Sequence, residues 1–549
     1  MQALLLSAVL SMGATLAPAD ARAEFAARLK KATGPKQLRE LDTWSARNKL
    51  DPERAKVRAI LRQVTPPARV SGDYRRREMA RLRGEQARNE VEAFLEVRTK
   101  AVTENLHDVI VWMSDRSYAP PEARKRVLSI ARRLMTNDKN ELKKVVGALI
   151  RAKNKDRNAI ELRSADRQFD AKLASVLREF TNKMLTAVSK CIAAGEIGYG
   201  FDLYRWLLEI DPENERAHRG LGEQKVEGEW LRPFEVIQWR RGFRWDPTFG
   251  WKPRQDKALE RYDAGEIYDQ TDNRWGKLAE LNARHADAEH PWVIESEHFK
   301  LHSTATLEQS VKLVERLELF FLGAFRQYDR FFGSGSRAIS LVFGTGTTKK
   351  LQVYFYRNRD QFMKHAKPSV EWAAGFYSGG RHASFFYQAG RHTINTMQHE
   401  LTHQILGEFA SGYGTHSPWV VEGAAVYLEY ATARGGEVIL DGIAGNREIA
   451  EYRKKLRAGE PEHTLRYLVK TFPTSGTWNQ GVILRNYRGA GAAWEFLMNF
   501  DGGRYRGDTV QLLSDNYQGS MRSLSDYYGI SLKGLTFLMK RYYTECDVR

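Results

Sequence analysis

The string His399-Glu400-Leu401-Thr402-His403 sets two imidazoles four residues apart, with a carboxylate beside the first. On an α-helix that spacing puts both rings on one face, a single turn apart and within reach of one cation, with Glu400 alongside to take a proton from water. The chain holds 13 histidines in 549 residues, and in about a few per hundred chains of such composition the string would arise by chance, so the reading needs a third ligand. Cys191 and Cys546 are the sole cysteines, which leaves histidine and carboxylate as donors and rules out a disulfide framework. The run Ser417-Pro418-Trp419-Val420-Val421-Glu422-Gly423-Ala424-Ala425 supplies a candidate. Ser417 suits a helix N-cap and Pro418 the first helical position, so Glu422 falls about one turn into an otherwise apolar helix running to Leu428. A charged carboxylate there is costly unless it meets a metal or a counter-ion. The alternative is a surface glutamate on a partly exposed helix.

These side chains need elements to hold them. Ile394, Met397, Leu401 and Ile405 step by three and four along a stripe facing away from His399 and His403, which predicts a helix with one packed face and one face left for a ligand. Upstream, residues 292–296 and 299–303 read as strands, 307–331 as a helix with Val311, Val314, Leu317, Phe320, Phe321 and Phe325 on one face, and 339–343 and 351–356 as strands again. Residues 24–190 are helical in pattern, interrupted at Pro66-Pro67 and Pro120-Pro121. Residues 200–230 read as one helical hairpin similar to a tetratricopeptide unit, with no second copy at that period. Trp230, Trp239, Trp245 and Trp251 follow among Pro233, Pro247 and Pro253, a pattern of a packed irregular connector, with carbohydrate or peptide contact by the rings as the alternative. The expected organisation is therefore α+β: a signal peptide at 1–23, a basic helical region at 24–190, the helical hairpin and Trp-rich connector at 191–285, and a last domain at 286–549.

An apolar share of 42% suffices for packed cores despite a net charge of +18. Residues 24–180 carry 37 Lys+Arg against 22 Asp+Glu, so most of the excess lies in the first third. Its mixed signs and few aromatics point to a solvated helical face, or to a protein or anionic-polymer partner, and no nucleic acid is expected. The apolar start followed by Ala19-Asp20-Ala21 and Ala21-Arg22-Ala23 reads as a signal peptide, although Gln2 supplies no positive charge. That implies export to a periplasmic or extracellular space, with no transmembrane span in the mature chain.

A metzincin pattern would need Gly at 406 and His at 409, where this chain has Leu406 and Phe409. His399-Glu400-x-x-His403, eighteen residues, then Glu422 within Trp419-Val420-Val421-Glu422-Gly423-Ala424-Ala425 resembles instead the gluzincin clan of the membrane-alanyl-aminopeptidase and leukotriene-hydrolase group, and is closer still to the peptidase-MA-like domains of exported bacterial proteins. The likeness covers about residues 290–549. It implies a zincin-like two-lobed domain holding one Zn2+ per chain on His399, His403 and Glu422. The fourth position would be open to water, and Glu400 would act as general base and then general acid on a peptide or protein substrate. In that group a downstream tyrosine steadies the oxyanion; Tyr487 occupies the comparable place 65 residues after Glu422, although the group's Tyr-Glu-Lys-Gly is here Tyr487-Arg488-Gly489-Ala490. Residues Ala383–Tyr387 fit the edge strand that aligns a peptide. The exopeptidase signature Gly-x-Met-Glu-Asn is absent, which favours endopeptidase action slightly. Two competing readings are an exported binding or scaffold protein with a non-catalytic zinc domain, and hydrolysis of a non-peptide bond by the same site.

Overall fold

The computed structural model describes residues 18–32, 34–64, 72–135, 139–333, 350–368, 373–390, 392–410, 417–434, 437–439, 447–460, 464–471 and 480–545. The protein is mostly helical with a small mixed sheet, an α+β chain. It divides into two compact units, one of residues 79–357 and one of residues 1–78 with 358–549. The boundary expected near 286 thus falls inside the first of these. Most of the signal-peptide segment, and the strand expected at 339–343, lie outside the described residues; the expected cleavage sites fall within the helix Pro18–Lys31, where Ala21 is buried. No helix among the described residues is long and apolar enough to cross a membrane.

Unit 79–357 begins with the greater part of the helix Gly72–Asp115, followed by Pro121–Leu134, Lys139–Arg151 and Ala159–Ala193. They share a core in which Leu106, Val109, Val127, Val145 and Leu173 are all fully buried. The new helix at Pro121 follows from the Pro120-Pro121 pair, since proline is favoured at a first turn and disfavours helix before it. The expected helical hairpin is present as Ile197–Ile210 and the shorter Glu215–Gly220.

The Trp-rich stretch corrects the expectation of an irregular connector. It is a threefold repeat of a β-hairpin followed by an eight-residue helix: Gln224–Val226 and Glu229–Leu231 before Pro233–Arg240, Phe243–Asp246 and Gly250–Pro253 before Asp256–Asp263, and Glu266–Asp269 and Arg274–Lys277 before Leu278–His285. Each second strand carries a tryptophan paired across the hairpin: Lys225↔Trp230, Trp245↔Trp251 and Tyr268↔Trp275. At the first turn Glu227 and Gly228 both take positive φ, 51° and 92°, the two-residue geometry that matches the twist of paired strands. Basic side chains lie on several of the rings, with Arg254 3.8 Å over Trp239 and Arg261 4.5 Å over Trp275.

Three strands close this unit. Strands β1 (Trp292–Glu295) and β2 (Phe299–Ser303) are antiparallel, and β2 pairs in parallel with β3 (Leu351–Tyr356). Helix α1 (Leu307–Gln327) packs on β1 and β2 through the predicted face, with Val311, Phe321 and Phe325 fully buried. It starts at Thr306, whose hydroxyl caps Gln309 N–H in a reciprocal capping box.

In the other unit, the helices Pro18–Lys31, Pro35–Arg47 and Asp51–Val64 belong with residues 358–549. The buried guanidinium of Arg541 donates to the carbonyls of Leu29 and Ala32, at 2.6 and 2.5 Å, closing the end of the first of these helices. The elements around the motif are the antiparallel strands β4 (Gly375–Ser378) and β5 (Ala383–Tyr387), then helices α2 (His392–Phe409), α3 (Pro418–Glu429), α4 (Gln480–Gly503) and α5 (Arg506–Tyr517). Helix α2 packs on β4, β5 and α3, and α3 packs along α4.

Candidate metal centre

Met397, Leu401 and Ile405 are buried as the stripe requires, at 4%, 1% and 0% exposure, while Ile394 is only half-buried. Polar residues between them fasten α2 to its neighbours. Gln398 donates to Ala431 O at 2.9 Å just beyond α3, and Ser384 of β5 donates to Gln404 Oε1 at 2.8 Å.

Helix α3 begins as predicted, with Ser417 at the N-cap and Pro418 first inside. The Ser417 hydroxyl makes no capping bond; its backbone N–H donates instead to Asn516 Oδ1 of α5 at 2.8 Å. The helix is apolar and buried nearly throughout, with Glu422 as a half-buried carboxylate in its midst. Gly423 permits α3 and α4 to meet closely. A Cβ there would sit 2.9 Å from Ala490 O and 3.2 Å from Trp494 Cε3.

The predicted ligands come together. His399 Nε2 lies 3.2 Å from His403 Nε2, and Glu422 Oε2 lies 3.2 Å from the former and 3.3 Å from the latter. The triangle is nearly equilateral. Three ligands of a tetrahedral ion at about 2.0–2.1 Å stand about 3.3–3.4 Å apart, so the cluster has the size of a small divalent ion's face. Glu422 Oε2 is also buried without a hydrogen bond of acceptable geometry, the condition a bound cation would relieve. Burial would raise the Glu422 carboxyl, but His403 and His399 outweigh it and hold the group well below the usual carboxylate range. Burial would likewise depress His399, yet Glu422, Glu429 and Glu400 lift it well above its ordinary value.

Glu400 stands beside the cluster and contributes to the fields at His399 and Tyr487. Its Oε2 accepts the backbone N–H of Tyr377, on β4, at 2.9 Å. Tyr487 of α4 lies with its ring roughly parallel to that of His399, centroids 5.9 Å apart, and its hydroxyl is near Glu422. Burial, reinforced by Glu422 and Glu400, pushes that phenol far up, so it remains a neutral donor across the physiological range. His399, Glu400, His403, Glu422 and Tyr487 thus all line one site.

The strand assignment needs correcting. β4, not β5, is terminal in the order of its sheet, and β5 is hydrogen-bonded to it along its length. Ala383–Tyr387 is expected at the edge because it directly precedes the motif helix, but it is the more buried of the two strands, and the shorter, half-exposed Gly375–Ser378 is the edge. Sequence reading also missed Glu429, whose Oε2 lies 3.6 Å from His399 Nδ1. The signal was there: seven residues past Glu422, it falls two turns on along the same face of an apolar helix. Tyr377 had no such signal, because its contribution is a backbone N–H. Among the described residues, Asp269, Asp272 and His285 form a second group of potential ligands, but His285 is already bonded at both nitrogens, to Asp269 Oδ2 and to His290 O, each at 2.8 Å. No family model, curated protein or solved structure matches this chain.

Proposed function

We propose that this protein is a zinc-dependent peptidase of the gluzincin type, with β4, β5 and α2 above and α3 to α5 below the metal in a zincin-like arrangement. The observation that carries the reading is the near-equilateral triangle of His399 Nε2, His403 Nε2 and Glu422 Oε2, with edges of 3.2, 3.2 and 3.3 Å, next to a glutamate that belongs to no edge of it. A two-histidine, one-carboxylate set leaves a coordination position open, the mark of a catalytic rather than a structural zinc site. Zinc, when bound, supplies polarisation of the scissile carbonyl and a more acidic water.

The remaining steps belong to the chain. Glu400 has one oxygen engaged by Tyr377 N–H and the other available, so it is oriented to take the proton of the attacking water and pass it to the leaving amine. Tyr487, kept protonated by its surroundings, donates to the developing oxyanion. The half-exposed edge strand β4 offers backbone groups for an extended peptide, and the Gly-x-Met-Glu-Asn exopeptidase signature is absent from the sequence, so cleavage within chains is the preferred mode. Export, expected from residues 1–23, belongs to the same reading.

Purified protein should carry about one zinc per chain and cleave members of a quenched-fluorescence peptide library. Glu400→Gln should retain the metal and lose about 10²–10⁴-fold in cleavage rate. Undiminished cleavage by that variant would refute the mechanism.

A further inference from the structure

Unit 79–357 encloses a cavity of about 300 Å³ between the second hairpin, the start of the helix Pro233–Arg240, the β1–β2 turn and one face of α1. That is the lower end of the range of small-molecule sites. Its apolar wall is aromatic: Trp245 and Trp251 meet edge-to-face with centroids 5.1 Å apart, and Phe234 meets Trp251 at 5.7 Å. Its polar wall sets four glutamates against Arg232 and Ser296, an acidic balance in a chain whose net charge is +18.

The four glutamates of that wall are not equivalent. Glu318 is fully engaged, accepting from Ser296 and from the backbone and Nδ1 of His298 at 2.6 to 2.7 Å. Glu315 accepts from Trp245 Nε1 at 3.1 Å and Glu235 from Arg232 N–H at 2.7 Å, so each spends one oxygen on holding the wall. Glu297 is the decisive one. It is only 7% exposed; its Oε2 accepts Phe234 N–H at 3.0 Å, while its Oε1 has no hydrogen-bond partner among the described residues and is not sealed in. Lys350 does not fill that role, since its ammonium donates to the Glu297 carbonyl at 2.6 Å and lies over Phe234. His298 and Lys350 act on the Glu297 carboxylate by charge, but neither donates to Oε1, so that oxygen is left without a hydrogen-bond donor.

We infer that this cavity binds an organic cation, an alkylammonium or guanidinium group, with Glu297 as counter-ion and Trp245 and Trp251 as the faces that receive it. Charge and ring quadrupole favour the same ligand, because a cation on an aromatic face gains most when a carboxylate can also take its N–H donors. Arginine- and lysine-bearing peptides and free amines present the same group. The cavity shares no residue with the metal triad, so cation binding and peptide cleavage stand or fall separately.

Tryptophan fluorescence and calorimetry on the full chain test it, with agmatine as the free cation, acetyl-Ala-Arg-Ala-amide as the peptide-borne one, and n-pentanol and glucose as neutral probes. Saturable binding of agmatine or the arginine peptide, weakened about tenfold or more by Glu297→Gln and by Trp245→Leu, is the expected result. Binding of the peptide alone identifies a side chain as the source, and binding of both identifies the cationic head as sufficient. Equal binding of a neutral probe, no saturation by either cation, or unchanged affinity in folded Glu297→Gln overturns the assignment. Trp245→Leu, at a half-buried wall position, keeps the test decisive should Glu297→Gln fail to fold.

Discussion

Replacing Gly423 by alanine tests whether the closeness of α3 and α4 sets the catalytic geometry. The new Cβ would stand 2.9 Å from Ala490 O and 3.2 Å from Trp494 Cε3. Neither neighbour can turn away, one being main chain and the other a ring with 0% exposure. Ordinary contacts of these kinds run to about 3.3–4.0 Å, so α4 must withdraw by about half an ångström. Tyr487 lies three residues before Ala490 on that helix and is carried with it, whereas His399, His403 and Glu422 stand on α2 and α3. Alanine gains up to about 1 kcal/mol in helix propensity over glycine, while overpacking a core costs about 1–3 kcal/mol; the clash is against backbone, so a net loss is expected. The variant should hold about one zinc per chain, unfold at lower urea, and lose about tenfold in kcat/KM, half the logarithmic penalty of a 1 Å misplacement. Elemental analysis, urea unfolding and steady-state cleavage of a quenched peptide read the three quantities. Unchanged stability together with unchanged kcat/KM would show that the helix spacing does not position Tyr487, and loss of zinc would show that α4 governs the triad directly.

Tyr487→Phe should leave zinc content unchanged while lowering kcat by about 10²-fold with little change in KM, as the removal of a donor used only in the transition state requires; an unaltered kcat excludes Tyr487 as that donor. Glu429→Gln should weaken zinc about tenfold in competition with a chelator, because the carboxylate behind His399 orients the ring and raises its basicity; equal affinity would reduce Glu429 to packing. Glu318 predicts an acid-labile unit. Burial alone would raise its carboxyl, but the His298 charge and hydrogen bonds bring it down to about 2 from 4.5. A depressed folded-state pKa means stability that is complete above about 4.5 and drains away as pH falls toward about 2, with a ceiling of about 3 kcal/mol. Urea midpoints of Glu318→Gln measured from pH 7 to pH 2.5 should fall less steeply than those of the parent, and parallel curves would remove the pair from the account.

The spacing of His399, His403 and Glu422 was legible because coordination demands residue types at helical intervals, and helix periodicity is a local property of the chain. The strands at Trp292–Glu295, Phe299–Ser303 and Leu351–Tyr356, and the helix Leu307–Gln327 between them, followed from the same kind of pattern. The hairpin repeat was missed because tryptophans and prolines were read as loop packing, while the positive φ of Glu227, Gly228 and Asn273 that makes the turns is not a matter of hydrophobicity. The edge position of β4 was not legible at all, since sheet order depends on partners distant in sequence. Nor was the union of residues 1–78 with 358–549, which rests on contacts such as Arg541 to Ala32.

That last contact joins residues 509 positions apart, and its companion to Leu29 joins residues 512 apart. The unit bearing the candidate metal site is therefore discontinuous in sequence, interrupted by the continuous stretch of residues 79–357. A chain emerging from the ribosome can complete the inner unit while the first helices still lack their partners. The helix Leu532–Thr544, which carries Arg541, is made 509 positions after Ala32 and supplies the closing contact. Assembly order itself thus delays completion of the unit that holds the candidate metal centre until Arg541 has been made.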